Sequence, residues 1–218
     1  MEDVLAVYAR PYDPARPVVC LDEKSKELHG EMREPVSSKP GKVKRVDSEY
    51  VRHGVANLFL WLEPLRGKRG VQVTERRCAS DFAQVLQHLS DVAYPQAEQI
   101  VLVHKCVDEV VDNLNTHGPH SLYEAFAPAQ ARRLAQRFEW HYTPEHGSWL
   151  NIAECELSVL ERQCVGRRIA DRQVLTREVA AWEQVRNAAA TTVRWQFTAE
   201  DARIKLRRLY PEIHHSLG

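Results

Sequence analysis

The sequence predicts one α/β domain with a helical C-terminal end. Short apolar runs recur through the first two thirds of the chain, and they indicate strands of a sheet that is covered on both faces. Segments with apolar residues at helical spacing lie between these runs and after them. No internal repeat, low-complexity tract or clear linker divides the 218 residues, so a single domain is expected.

Five short segments combine β-branched, aromatic and other apolar residues, so they are predicted to be strands. They span 17–22, 54–65, 71–75, 100–103 and 138–142. A turn that contains Gly67 and Gly70 separates the second from the third, so these two form a predicted hairpin. The polar stretch 31–53 is predicted to be a long loop or an irregular hairpin.

Five further segments are predicted to be helices because their apolar residues recur three and four positions apart. They span 80–94, 121–138, about 148–165, about 171–187 and 198–210. Ser80, Ser148 and Asp171 are the predicted N-caps of the first, third and fourth of them. The last is basic and amphipathic, and its charged face has two interpretations, a contact with DNA or plain solvation.

The composition is that of an ordinary globular protein, with 44% hydrophobic and 28% charged residues. No apolar run approaches the roughly 20 residues of a membrane helix, and the N-terminus lacks the features of a signal peptide, so a cytoplasmic protein without a membrane partner is expected. Five cysteines without a Cys-x-x-Cys pair argue against a disulfide framework or a zinc knuckle. The net charge of zero counts against a chain that holds DNA by itself.

Two apolar runs end in acidic residues. PVVCLD ends at Asp22 and is followed by Glu23, and EVVD ends at Asp112 and is followed by Asn113. Open α/β sheets bind their ligands at the carboxyl ends of strands. A buried carboxylate there is costly unless it is paired, protonated or bound to a cation. With a third carboxylate from a helix, the two aspartates would form an oxygen site suited to Mg²⁺ or Mn²⁺.

The third carboxylate is expected on the helix at about 148–165, which contains both Glu154 and Glu156. Two positions apart, these side chains face different sides of a helix. Helical periodicity alone leaves both of them open as ligands. In its simplest interpretation Glu156 is a solvated helix residue.

Three motifs occur in order along the chain: VVCLDEKSKELHG, VDNLNTH and YTPEHGSWLNIAE. Together they resemble the catalytic domain of DDE transposases of the mariner-type superfamily, in its bacterial insertion-sequence branch. The resemblance implies Asp22, Asp112 and Glu154 as the catalytic, metal-binding triad, and Asn151 of the third motif favours Glu154 over Glu156. It also implies an RNase H-like fold, a mixed five-stranded sheet with helices on both faces and a helical C-terminal tail.

The activity that this resemblance implies is DNA cleavage at the ends of an insertion sequence, followed by strand transfer. Two Mg²⁺ or Mn²⁺ ions, about 3.5–4 Å apart, would clamp the attacking and leaving oxygens. Asp22 would bridge them, while Asp112 and Glu154 would each hold mainly one. Five further residues are expected to support these ligands or to contact DNA: Glu23, Asn113, His117, His146 and Asn151.

The implied partners are transposon ends, target DNA and a second copy of the chain. The chain starts almost at the first catalytic strand, so the N-terminal helix-turn-helix region is expected to be absent and to be supplied by a separate polypeptide. Residues 1–218 then form a single catalytic domain, with a core at about 16–166 and a helical extension at about 167–218.

Two departures from the family pattern favour other functions. HKCVDEV at 104–110 separates IVLV from VDNLNTH, whereas the family runs from that strand directly into Asp-Asn. This insertion moves Asp112 away from the strand end unless EVV replaces IVLV in the sheet. Glu145 stands where a basic residue is expected beside DNA. The alternatives are therefore a non-catalytic transposase remnant and an unrelated metal-dependent nuclease.

Overall fold

The computed structural model describes four stretches of the chain: residues 1–32, 49–105, 117–144 and 147–210. Its strands are β1 Val18–Glu31, β2 Tyr50–Glu63, β3 Lys68–Thr74, β4 Ile100–Lys105 and β5 Phe138–Thr143. They form one sheet in the order β3-β2-β1-β4-β5. β2 is antiparallel to both of its neighbours, β1 and β3, whereas β4 is parallel to β1 and β5 is parallel to β4. The predicted mixed five-stranded sheet is confirmed.

Helices cover both faces of this sheet. The described α-helices are α1 Glu2–Tyr8, α2 Ala79–His88, α3 Ser121–Ala125, α4 Pro128–Ala135, α5 Ile152–Leu160, α6 Arg172–Ala188 and α7 Ala199–Lys205. A π-helical turn extends α2 through Leu89–Ala93, and another extends α5 through Glu161–Val165. None of the described helices is long and apolar enough to cross a membrane.

The two faces of the sheet carry separate apolar cores. On the α5 face, residues such as Cys20, Leu60 and Val103 pack with α1, α5 and α6. On the α2 face, residues such as Leu21 and Phe59 pack with α2, α3 and α4. Successive side chains of a strand point to opposite faces, so neighbouring residues of β1 contribute to different cores.

The strands extend beyond their apolar parts. The predicted strand at 17–22 continues to Glu31, and β2 begins at Tyr50 rather than at 54, because the polar halves of β1 and β2 pair with each other as far as Glu31 and Tyr50. Of the two alternatives predicted for 31–53, the loop was wrong at Glu31 and at 50–53, whereas the irregular antiparallel pairing of these positions agrees with a hairpin. The central part of this segment, 33–48, lies outside the described residues.

Helix α1 was not predicted. It has seven residues and buries Val4, Leu5 and Val7, but it is too short for a periodic pattern to stand out. Its last residue, Tyr8, donates its hydroxyl hydrogen to the Leu150 carbonyl oxygen at 2.7 Å. The N-terminal helix therefore packs against the start of α5.

The single helix predicted at 121–138 was wrong. α3 ends at Ala125, its C-cap Phe126 has an extended backbone, and α4 starts with Pro128 in its first turn. The break follows from the proline, because the residue before a proline is disfavoured in the helical conformation. The predicted N-cap Asp171 is confirmed, since its side chain accepts a hydrogen bond from the Val174 amide.

A buried ion cluster joins β3, α5 and α6. Arg69 of β3 has a fully buried side chain, and its Nε lies 2.9 Å from Oε1 of Glu156. Arg186 of α6 donates two hydrogen bonds to the same carboxylate, each 3.0 Å long. The expectation that Glu156 is solvated was therefore wrong. Helix α6 lies in the segment expected to be an extension, and it packs into the core of the α5 face.

Candidate active site

Asp22 lies on the α5 face, next to the carboxyl end of β4. Asp22 pairs with Leu60 of the neighbouring strand β2, and the preceding residue, Leu21, pairs with His104 of β4. The residue is only 4% exposed. Burial, together with the nearby charges of Glu23 and Glu154, raises the pKa of the Asp22 carboxyl to about 7. A group in this position is costly to ionise unless a cation compensates its charge.

Asn151 fixes the start of α5. Its Oδ1 accepts a hydrogen bond from the Ala153 amide at 3.1 Å, so it is the N-cap of the helix. The predicted cap, Ser148, instead begins a short 3₁₀ turn that ends at Leu150.

The same Asn151 side chain connects α5 to the strand that carries Asp22. Its Nδ2 donates a hydrogen bond to the Leu21 carbonyl oxygen at 2.9 Å, and the whole residue is buried. Glu154 lies in the first turn of α5, close enough for its charge to act on Asp22. The Leu-Asn-x-x-Glu motif thus brings a helix carboxylate to the end of the buried part of β1.

Replacing Asn151 with alanine is expected to destabilise the protein by about 2 kcal/mol, because it removes a helix cap and one of the two side-chain donors to the buried Leu21 carbonyl oxygen. Asn151→Ser keeps a capping oxygen without adding a buried charge and loses the donor to Leu21, so its effect should be smaller. Urea denaturation of both variants measures the difference. Equal stability of wild type and Asn151→Ala would show that this side chain does not hold α5 in place.

The structure also distinguishes the two glutamates of α5. Glu156 is buried against Arg69 and Arg186, on the other side of the helix from Asp22. Glu154 is half-buried and acts electrostatically on Asp22. Of the two candidates, the geometry therefore favours Glu154 as the ligand.

Glu23 and His117 come together, but on the α2 face. Glu23 pairs with Phe59 of β2, and its Oε1 lies 3.4 Å from Nδ1 of His117 and 3.7 Å from a guanidinium nitrogen of Arg77. Burial alone would raise the pKa of the Glu23 carboxyl, but His117, His104 and Arg77 together outweigh it and lower this pKa. Glu23 and His117 therefore lie on the opposite face of the sheet from Glu154.

Three of the predicted site residues, Asp112, Asn113 and His146, lie outside the described residues, and their roles stay predictions. EVV at 109–111 lies outside them as well. The sheet position between β1 and β5 is held by Ile100–Lys105, which contains IVLV.

Lys105, a residue that the sequence analysis did not single out, ends β4 beside Asp22. Its positive charge acts to lower the Asp22 pKa, which is opposite to the effect of burial. Only the register of β4 against β1 reveals this proximity.

Asp22 and Glu154 fit a divalent cation. Both offer carboxylate oxygens, which are the ligands that Mg²⁺ and Mn²⁺ prefer. Because Asp22 is buried near a second carboxylate, a bound cation would stabilise its ionised form.

Comparison with known proteins identifies the family of this site. A sequence model described as DDE superfamily endonuclease matches residues 17–176, which is most of the chain. The chain belongs to this family. The prediction of a DDE-type transposase or endonuclease is therefore confirmed, whereas its bacterial insertion-sequence branch stays a prediction. No curated protein matches the chain.

Solved structures agree with the fold of this DDE endonuclease family member. The Mos1 mariner paired-end complex with Mg matches at 15% identity and a TM-score of 0.52, over 96% of this chain and 60% of that one. The complex with Mn matches at 16% identity and a TM-score of 0.51, over 86% of this chain and 54% of that one. At such identity the likeness shows the RNase H-like fold. The chain spans less than two thirds of the length of these transposase chains.

Proposed function

We propose that this chain is the catalytic domain of a transposase that cleaves DNA at insertion-sequence ends and transfers the cleaved strand. The observation that carries the proposal is the convergence of Asp22 and Glu154 on the α5 face, where Asn151 joins α5 to β1. Membership of the DDE superfamily endonucleases supports nuclease chemistry at this place.

Asp22, Asp112 and Glu154 would hold two Mg²⁺ or Mn²⁺ ions. Bound there, the ions would supply Lewis-acid activation of the phosphate and of the attacking water or 3′-hydroxyl. Asn151 orients α5, and Asp22 provides a buried carboxylate that is already close to Glu154. Asn113, His146 and the Glu23–His117 pair are proposed to support this centre or its contact with DNA.

The proposed partners are DNA ends, target DNA, a second copy of the chain and a separate N-terminal DNA-binding polypeptide, in the bacterial cytoplasm. The matching Mos1 structures are paired-end complexes with Mg or Mn, which supports DNA ends and these ions as ligands. In this proposal residues 1–218 are one catalytic domain, and the helices after 167 complete its core.

A second candidate function, a transposase remnant without cleavage activity, is favoured by Lys105. The chain continues through His104 and Lys105 at the end of β4, where the family pattern runs directly into Asp-Asn. A lysine beside Asp22 offers this carboxylate a positive charge without a metal ion.

Nicking of supercoiled plasmid DNA tests the two functions. The catalytic proposal expects nicks in the presence of Mn²⁺ or Mg²⁺ and none in EDTA. If the chain is a remnant, the plasmid should remain intact with every ion, although the protein is folded. Cleavage that appears only in Lys105→Ala would show that the centre is intact and that this lysine blocks it.

A further inference from the structure

A second cluster of potential metal ligands lies on the α2 face of the sheet. It consists of Glu23 on β1, His104 on β4 and His117, which lies shortly before α3. One ligand atom from each side chain lies within 4.8 Å of the other two. His104 is 0% exposed, and the side chains of His117 and Glu23 are 2% and 9% exposed.

Hydrogen bonds with the described residues leave the polar atoms of this cluster largely unsatisfied. Nδ1 of His104 lies 3.1 Å from the Leu21 carbonyl oxygen, so Nδ1 donates and Nε2 carries the lone pair. His104 Nε2, both ring nitrogens of His117 and Oε2 of Glu23 are buried without a hydrogen-bond partner among the described residues. Such atoms are costly to bury, so an unsatisfied set of them indicates a missing partner.

An ion pair between Glu23 and His117 is not sufficient to satisfy the cluster. The 3.4 Å approach between Glu23 Oε1 and His117 Nδ1 engages one ring nitrogen of His117. Its other nitrogen and Nε2 of His104 still have no acceptor or donor among the described residues. A cation that accepts lone pairs from both imidazoles and from the carboxylate would satisfy all three side chains together.

We propose that Glu23, His104 and His117 bind a transition-metal cation, and that Zn²⁺ is the best fit. Two imidazoles and one carboxylate are a common Zn²⁺ ligand set, whereas Mg²⁺ prefers oxygen ligands alone. Tetrahedral Zn²⁺ with bonds of about 2.0–2.2 Å places its ligand atoms about 3.4 Å apart, so small side-chain rotations would close this cluster around the ion. The bond from His104 Nδ1 to a backbone carbonyl is the usual way in which a metal-binding histidine is oriented.

The surroundings of the cluster are apolar and largely exclude solvent. The Phe82 ring lies 5.1 Å from the His104 ring and 4.8 Å from the His117 ring, between ring centroids, and Phe59 approaches His117 edge-on. Burial lowers the pKa of His104, and the neutral imidazole is the form that binds a metal. An ion here would tie together β1, β4 and the chain before α3.

Two of the proposed Zn²⁺ ligands lie close in the sequence to predicted catalytic aspartates. Glu23 directly follows Asp22, and His117 follows Asp112 by five positions in the sequence. Zn²⁺ would therefore anchor the chain next to two of the predicted catalytic carboxylates. The binding itself does not depend on whether the chain cleaves DNA.

Titration calorimetry with Zn²⁺ tests this site in the EDTA-stripped full chain, with excess Mg²⁺ present to occupy the oxygen ligands of the α5 face. We expect one Zn²⁺ per chain and a higher melting temperature when it is bound. His104→Leu and Glu23→Gln should each weaken Zn²⁺ binding more than about tenfold. Leucine at position 104 can pack against the apolar Phe82 ring. Glu23→Gln removes the charge of the carboxylate ligand and keeps the size and shape of the side chain.

His88→Gln on α2 and Glu154→Gln on α5 are the controls, and both should bind Zn²⁺ as the wild type does. Unchanged binding in His104→Leu and Glu23→Gln would overturn the proposal. Loss of binding in Glu154→Gln alone would place the ion at the other face and also overturn it. A wild-type chain that binds no Zn²⁺ would show that Glu23 and His117 form only an ion pair.

Discussion

Asp22→Asn is expected to reduce DNA nicking by about a thousandfold or more, because metal-assisted stabilisation of the transition state contributes several kcal/mol. Asparagine has the size of aspartate but lacks the charge that holds a cation. The variant should fold at least as well as the wild type in EDTA, since burial disfavours the ionised form of Asp22. Loss of activity without loss of stability therefore separates a catalytic role from a structural one.

Glu178→Gln is the matched control for this prediction. Glu178 is a half-exposed carboxylate on α6 that pairs with Arg167, away from Asp22. Its replacement should leave nicking unchanged. Nicking by Asp22→Asn at the wild-type rate would contradict the assignment, and equal losses in both variants would point to an indirect effect of charge.

Arg69→Met is expected to lower the free energy of unfolding by about 3–5 kcal/mol, the largest stability effect that we predict for a single substitution. It leaves the Glu156 carboxylate buried, with Arg186 as its remaining cation. It also removes hydrogen bonds from the Arg69 guanidinium to the carbonyl oxygens of Arg186 and Thr191, each 2.8 Å long. Urea denaturation at neutral pH measures the change.

Combining Arg69→Met with Glu156→Leu should recover only part of this loss, because the double variant removes the buried carboxylate but leaves the Arg186 guanidinium without its partner. The control is Arg203→Met, whose partner Glu2 and own side chain are exposed, so its cost should be much smaller than that of Arg69→Met. Similar costs for Arg69→Met and Arg203→Met would contradict the account of the buried cluster.

Local patterns were sufficient for the sheet, and they also singled out Asp22 as a candidate ligand. The apolar parts of all five strands are visible in the sequence because burial on two faces selects β-branched and aromatic side chains. Asp22 follows such a run directly. Glu154 could be chosen only through Asn151 in the resembling motif, and the structure supplies the reason, a hydrogen bond from Asn151 to Leu21.

Features that depend on distant partners could not be predicted. Glu156 resembles a surface residue in its own helix, because the sequence does not show that Arg69 of β3 lies against it. The sequence shows no second metal-binding residue at a recognisable spacing from His104. Glu23 and His117 come close to it only in the folded chain, where β1 and β4 are neighbours in the sheet. In both cases the deciding contact is long-range and leaves no local pattern.

The most direct test of the account is calorimetric titration of Mn²⁺ into the wild type, Asp22→Asn, Asp112→Asn and Glu154→Gln, with Glu178→Gln as the control. We predict that each of the three triad variants weakens binding at least about tenfold, because each removes a charged oxygen ligand of the proposed metal centre. Mn²⁺ binding that is unchanged in both Asp22→Asn and Glu154→Gln would contradict the central claim that these carboxylates form the metal centre.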